Sequence, residues 1–251
     1  MARSIALNIL TRACAGAVST GTFNREFYIR YGMDPRRIWH GICPADAEFF
    51  GQAQADHDRT AYQRSQQFRI GFAGKLIARK GVDELLRAVA LLDRSSSWSV
   101  TLVGDGPAMT ELKELTILLE LSDRVVFHGF ANTSEMPKLL ASFDVVVVPS
   151  RIDMRTLITI EAMAAGAATI VSDATAVWGA GDLIEDGVTE LVYPSGNPAA
   201  LAKQLCRLLQ DPELLAALRR DGAARAAEFG PEPFAQTMAL AIRRCNQKFE
   251  S

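Results

Sequence analysis

From Phe68 onward, short β-branched apolar runs alternate with stretches whose apolar residues recur at helical spacing. The runs predict strands at 68–73, 99–103, 124–128, 144–148, 168–172 and 190–193. Helical periodicity falls between them at about 82–92, 107–121, 136–142 and 157–165, then at 198–209, 212–227 and 233–248. Val145 to Val148 is apolar at every position, which suits a strand covered on both faces. Alternation at this spacing implies right-handed crossovers and an α/β fold with a doubly wound, Rossmann-like parallel sheet. Ligands of such sheets sit beyond the carboxyl ends of the strands. The residues that follow each strand are therefore the ones to read for chemistry.

The first 65 or so residues do not fit that unit. Residues 5–18 are apolar but interrupted by Asn8 and Arg12, and read as a buried helix leading into a short strand at 15–19. A second helix is expected at 24–31, ending at Gly32, followed by an extended segment at 37–50 with Pro44 and a polar loop at 51–67. One strand and two helices cannot enclose a core of their own. Either they pack on the main domain, or they are the tail of a domain whose remainder lies elsewhere. The expected division is 1–50 as that remnant, 51–67 as linker, 68–230 as the main domain and 231–251 as a closing helix.

Composition narrows the function classes. The 49% hydrophobic and 22% charged content is that of an ordinary globular protein. With 27 basic against 29 acidic side chains there is no broad electrostatic footprint for nucleic acid. The cysteines Cys14, Cys43, Cys206 and Cys245 lack the paired spacing of a zinc site or disulfide framework. They read as reduced thiols of a cytoplasmic protein, membrane-peripheral only through a partner or missing domain. His40, His57 and His128 form no metal-ligand pattern, and no stretch approaches the ~20 apolar residues of a membrane span.

Candidate chemistry clusters after the strands. Gly74-Lys75-Leu76 follows the first, with Lys80-Gly81 shortly beyond. The glycine lets backbone approach a ligand closely, and two lysines suit a diphosphate, although a solvated turn would read the same way. Gly104-Asp105-Gly106-Pro107 resembles the start of a dinucleotide fingerprint, but Met109 holds the third glycine position, so a tight turn explains it better. After the third strand, His128-Gly129-Phe130 could face a base or be an ordinary strand exit. Asp153 and Glu161 bracket a loop that becomes a helix near Thr156, a candidate N-cap. That helix start offers free N–H groups and a positive dipole end to a phosphate. Glu161 lies among Leu157, Ile160, Ala162, Met163 and Ala164, where a carboxylate is costly unless paired. Vicinal ribose hydroxyls would pair it; a partly exposed helix edge is the bland alternative.

The order of these pieces resembles the C-terminal domain of family 4 (group 1) glycosyltransferases of the GT-B fold. The resemblance runs through Gly74-Lys75-Leu76, Lys80-Gly81, Leu102 to Pro107, Arg124 to Gly129, Pro149-Ser150 and Glu161 to Gly166. It continues through Ser172-Asp173, Asp182 to Gly187 and Leu191 to Pro194. It implies retaining, metal-independent transfer from a nucleotide-sugar donor. Gly74, Lys75, Lys80, His128, Asp153, Thr156, Leu157 and Glu161 would bind that donor. Lys75, where the family usually has arginine, and Lys80 would hold the diphosphate and stabilise the leaving group. Asp153, usually glutamate, would reach sugar hydroxyls, making Lys75, Lys80 and Asp153 the catalytic set. Glu161 would take the ribose. Arg155 and Thr156 replace an aromatic residue and a glycine, and should crowd the phosphates; Glu190 replaces another glycine. The resemblance also implies a first, acceptor-binding domain, of which residues 1–50 match only the end. A separate acceptor-domain chain, or self-association through 1–50, is the expected partner.

Overall fold

The computed structural model describes residues 2–41, 44–56, 67–153, 156–176, 178 and 182–246. The chain opens with α1 (Ala2–Ala13), β1 (Ala17–Ser19), α2 (Thr22–Arg30), β2 (Ile38–His40) and α3 (Ala47–Asp56). The main unit follows: β3 (Phe68–Ala73), α4 (Val82–Val89), β4 (Trp98–Val103), α5 (Met109–Leu118), β5 (Val125–Gly129), α6 (Met136–Ala141) and β6 (Val145–Val148). It continues with α7 (Leu157–Ala164), β7 (Ala168–Ser172), β8 (Leu191–Tyr193), α8 (Pro198–Gln210), α9 (Pro212–Ala227) and α10 (Pro231–Asn246).

Among the described residues, six strands form one parallel sheet in the order β5-β4-β3-β6-β7-β8. The order in which strands are added reverses between β3 and β6, so the crevice of the doubly wound fold opens beyond Ala73 and Val148. Both faces of the sheet are covered. One core joins Ile70, Phe72, Val100, Leu102, Val145 and Ile170 to Leu85, Leu86 and Leu205 of the helices on that side. The other joins Val146, Val148 and Val171 to Leu140, Ile160 and Met163. Such burial explains why the strand sequences are apolar on both faces. Helices α8 and α9 start where the sequence stops them from starting elsewhere. Asn197 accepts the N–H of Ala200 and Asp211 that of Leu214, with Pro198 and Pro212 behind them. Each such cap is worth ~1 kcal/mol.

The amino-terminal elements differ from the expectation in three ways. Helix α1 forms but is not buried: Ile5, Ile9 and Leu10 are 58%, 65% and 59% exposed. Strand β1 is not alone, because Ala17–Ser19 pairs in parallel with Ile38–His40, inside the segment read as extended. Residues 47–56, read as extended chain and polar loop, are helix α3. Asp46 caps that helix by accepting the N–H of Phe49, and Phe50 and Ala53 are buried against the α6–α7 side of the sheet. The apolar stripe is narrow enough to be hidden by Gln52, Gln54 and Asp56 in the sequence. The remainder of the predicted loop, 57–66, lies outside the described residues. The segment is tied to the main unit by Asp182, which accepts the N–H of Thr22 with both oxygens (2.9 and 3.1 Å) at the start of α2. Phe23 stacks edge-on against Trp178 with ring centroids 5.7 Å apart. Among the described residues, no helix is long and apolar enough to cross a membrane.

Candidate active site

Three loops meet at the point where strand order reverses. The loop after β3 lies under the loop after β4: Leu76 donates its N–H to Asp105 O (2.9 Å), and Ala108 donates to Leu76 O (3.1 Å). A β-carbon on Gly106 would fall 2.3 Å from Leu76 O, so this glycine is demanded by backbone contact. The Gly104-to-Pro107 segment thus acts as the tight turn that its sequence suggested, and it shapes the loop holding Lys75. On the other side, Gly81 adopts φ 67°, and a β-carbon there would meet Pro149 O at 1.9 Å. The loop carrying Lys80 is therefore seated on the loop that follows β6.

Between these loops opens a cavity of ≈540 Å³, lined in part by Gly74, Lys75, Lys80, Thr156 and Glu161. Five of the residues singled out from the sequence are thus brought together. Lys75 is exposed and forms no ion pair among the described residues. Lys80 is ion-paired with Asp153, whose side chain is 7% exposed and which also accepts from Ser150 Oγ (3.4 Å). Asp153 thus meets the cavity through Lys80. Glu161 lies in α7 with no ion-pair partner among the described residues, and burial raises its carboxyl above the ordinary glutamate range. Its charged form is therefore costly until something donates hydrogen bonds to it.

Thr156 does occupy the N-cap position of α7, but its hydroxyl makes no capping bond. That Oγ1 is buried and has no hydrogen-bond partner among the described residues. It is an unsatisfied polar atom at the cavity edge, beside a helix start whose N–H groups suit an anion. Arg155 lies outside the described residues. Leu157 is the first residue of α7, is 39% exposed and does not line the cavity. His128 is exposed on β5, an outer strand of the sheet, and likewise is not in the lining.

The lining also holds Phe130, named in the sequence only as part of a strand exit that could face a base, and Ala131, Met136 and Ile158, which the sequence did not single out. Phe130 is 79% exposed, and with Ala131, Met136 and Ile158 it adds apolar surface to a lining that also carries the charged side chains. Glu190, which replaces a glycine of the pattern, is elsewhere: it is buried at the β7–β8 side, where Oε2 accepts the Thr169 N–H.

The family model described as Glycosyl transferases group 1 matches residues 67–211. Alpha-D-kanosaminyltransferase of Streptomyces kanamyceticus is 34% identical over 144 residues, covering 57% of this chain and 36% of that protein. D-inositol 3-phosphate glycosyltransferase 1 of Catenulispora acidiphila is 31% identical over 212 residues, 80% of this chain and 50% of that one. Among solved structures, the C-terminal domain of a group 1 family glycosyl transferase from Francisella tularensis superposes with a TM-score of 0.61 at 23% identity. That match covers 73% of this chain and 96% of that one. Anabaena HepE, crystallised with UDP, gives a TM-score of 0.80 at 22% identity, covering 95% and 66%. The chain spans about half or less of the length of the curated relatives it matches. It belongs to the group 1 glycosyltransferase family, and its main unit is the C-terminal domain of that GT-B architecture.

Proposed function

We propose that this chain binds a nucleotide-diphosphate sugar and forms the donor half of a retaining glycosyltransferase. The observation that carries the reading is one cavity joining two lysines, a half-buried glutamate with no ion-pair partner among the described residues and the start of α7, at the switch point of the sheet. The ammonium groups of Lys75 and Lys80 and the N–H groups of α7 hold the diphosphate. As the glycosidic bond to the leaving phosphate breaks, the lysines stabilise the charge that develops there. Glu161 accepts the two ribose hydroxyls, which replaces the solvation that burial removed. Once Lys80 turns to the diphosphate, Asp153 is released to the hydroxyls of the sugar. Solved relatives in complex with UDP and with UDP-glucose support the ligand class.

A second reading is that the chain is a binding subunit, non-catalytic alone, completed by an acceptor-domain chain or a second copy on the face of α1; an inactive remnant would lack even that partner. The exposure of Ile5, Ile9 and Leu10 favours such a covering. A thermal-shift screen with uridine, guanosine and adenosine diphosphates and their sugars tests ligand class. Stabilisation by one family of nucleotides, abolished in Glu161→Ala, is expected. Silence to all of them, or an unchanged response in Glu161→Ala, overturns the proposal.

A further inference from the structure

Among the described residues Arg151 makes three hydrogen bonds, all to the segment from Ala78 to Asp83 that presents Lys80. Its backbone N–H donates to Arg79 O at 2.8 Å. Its guanidinium donates to Ala78 O at 2.5 Å through Nη1, and to Asp83 Oδ2 at 2.6 Å through Nη2. Ala78–Lys80 is a single 3₁₀ turn, and Asp83 stands in the first turn of α4 just beyond it. One side chain therefore bridges the entry and exit of the turn. The same stretch of chain, Pro149 to Asp153, also supplies the carbonyl against which Gly81 is seated and the carboxylate that receives the Lys80 ammonium. Lys80 is gripped before, after and at its tip by five consecutive residues of the loop after β6.

Arg151 itself stays out of the cavity that holds Lys75 and Lys80. The residue lines a separate groove of ≈600 Å³ with Ile77, Ala78 and Asp83 on the α4–α5 side. The side chain is 40% exposed, where an ion pair with Asp83 contributes little to stability by itself. Its guanidinium bond to Ala78 O, by contrast, fixes backbone two residues before Lys80, next to the Arg79 carbonyl that the Arg151 main chain already holds. A lysine has four rotatable bonds, so its ammonium reaches one place reproducibly only if its backbone is fixed.

We propose that Arg151 is a positioning residue for diphosphate binding, acting through Lys80 without touching the ligand. The inference rests on the donor-site reading above, and calorimetry with inorganic pyrophosphate and with a nucleoside monophosphate separates the two. The parent chain binds both. Arg151→Met lowers pyrophosphate affinity about tenfold while nucleoside monophosphate affinity stays within about twofold. Arg151→Lys, which keeps one donor in reach of Ala78 O, recovers part of the loss. In a Lys80→Ala background, Arg151→Met changes pyrophosphate affinity less than about twofold, because the group it positions is gone. A merely structural role would instead lower both affinities together and persist without Lys80. Either that pattern, or pyrophosphate binding within about twofold of the parent in Arg151→Met, overturns the assignment while leaving the donor site intact. A parent chain that binds neither probe overturns both.

Discussion

Asp153→Asn is the most informative perturbation, because it tests the site from the side of its own counter-ion. The Lys80 and Asp153 side chains are 18% and 7% exposed, so their attraction is little screened by solvent. Breaking a buried pair by deleting one partner costs ~3–5 kcal/mol, mostly as the penalty of stranding the other charge. Asparagine keeps the shape and one hydrogen bond, so a smaller loss of ~1–3 kcal/mol is expected. For a chain of this size that corresponds to a fall in Tm of roughly 2–12 °C. The stranded Lys80 ammonium then needs an anion, and a diphosphate no longer competes with Asp153 for it. Pyrophosphate and free nucleoside diphosphates should therefore bind Asp153→Asn about three- to tenfold more tightly than the parent, a gain of ~1 kcal/mol. The nucleotide sugar should lose whatever advantage it has over the free diphosphate, since the hydroxyl acceptor has been weakened. Titration calorimetry with the three ligands, alongside thermal denaturation, reads all of these effects. Pyrophosphate binding that is unchanged or weaker in Asp153→Asn would refute the view that this acid competes with the ligand for Lys80.

Three further outcomes follow from the same geometry. Burial raises the Glu161 carboxyl, so nucleoside diphosphate affinity should rise as pH climbs through that raised value and fall as the acid is protonated. Glu161→Gln should flatten the profile at a cost of ~1.5–3 kcal/mol, read by calorimetry between about pH 4 and 8. Glu190 is fully buried with Oε1 unpartnered among the described residues, and burial pushes its pKa well up. Its folded state holds a proton that the unfolded chain releases, so stability is greatest below the unfolded pKa and is lost as pH rises through the folded one. Glu190→Gln should be more stable than the parent at neutral pH by ~1–3 kcal/mol and less sensitive to pH, in urea denaturation. Gly81→Ala places a β-carbon 1.9 Å from Pro149 O at φ 67°, so the Lys80 loop must lift. Pyrophosphate binding should be lost together with ~2 kcal/mol or more of stability; a variant that binds normally would show the loops are not interlocked.

Much of the main sheet was legible because its strands are buried on both faces. β3 and β7 lie at the expected 68–73 and 168–172, and the other strands agree to within a residue at either end. Strand order was not written in any one segment; it depends on which neighbour each crossover reaches. The helix at 47–56 escaped because Phe50 and Ala53 acquire their meaning only against α6 and α7. The exposure of α1 was legible in part: read first as a buried helix, it was also read as part of a remnant whose apolar residues would face a domain lying elsewhere. At the site, Lys75, Lys80, Thr156 and Glu161 were readable because each follows a strand end. His128 follows the same rule, but β5 is an outer strand, and its alternating side chains point partly to solvent. Arg151 was not readable, since nothing in the sequence says that an exposed arginine grips the backbone of a loop some 70 residues earlier.

Glu161 and Glu190 show why an acid raised by burial is not by itself a functional signal. Both have carboxyls raised by burial, and both interrupt runs of otherwise apolar or small residues. Glu190 has one oxygen on the Thr169 N–H and the other 2.5 Å from where a Gly222 β-carbon would stand, with no room for a ligand to enter. Its cost is paid wholly by the fold. Glu161 bears the same kind of penalty, but on the wall of a cavity that also carries Lys75 and Lys80. A donor arriving there can repay the desolvation with hydroxyl groups, and its phosphates meet the lysines at the same time. Access decides between the two acids, and access is a property of the assembled loops around Gly81 and Gly106. Widening the space at Glu190 should therefore create no affinity, whereas lifting the Lys80 loop through Gly81→Ala should abolish binding with Glu161 still in place.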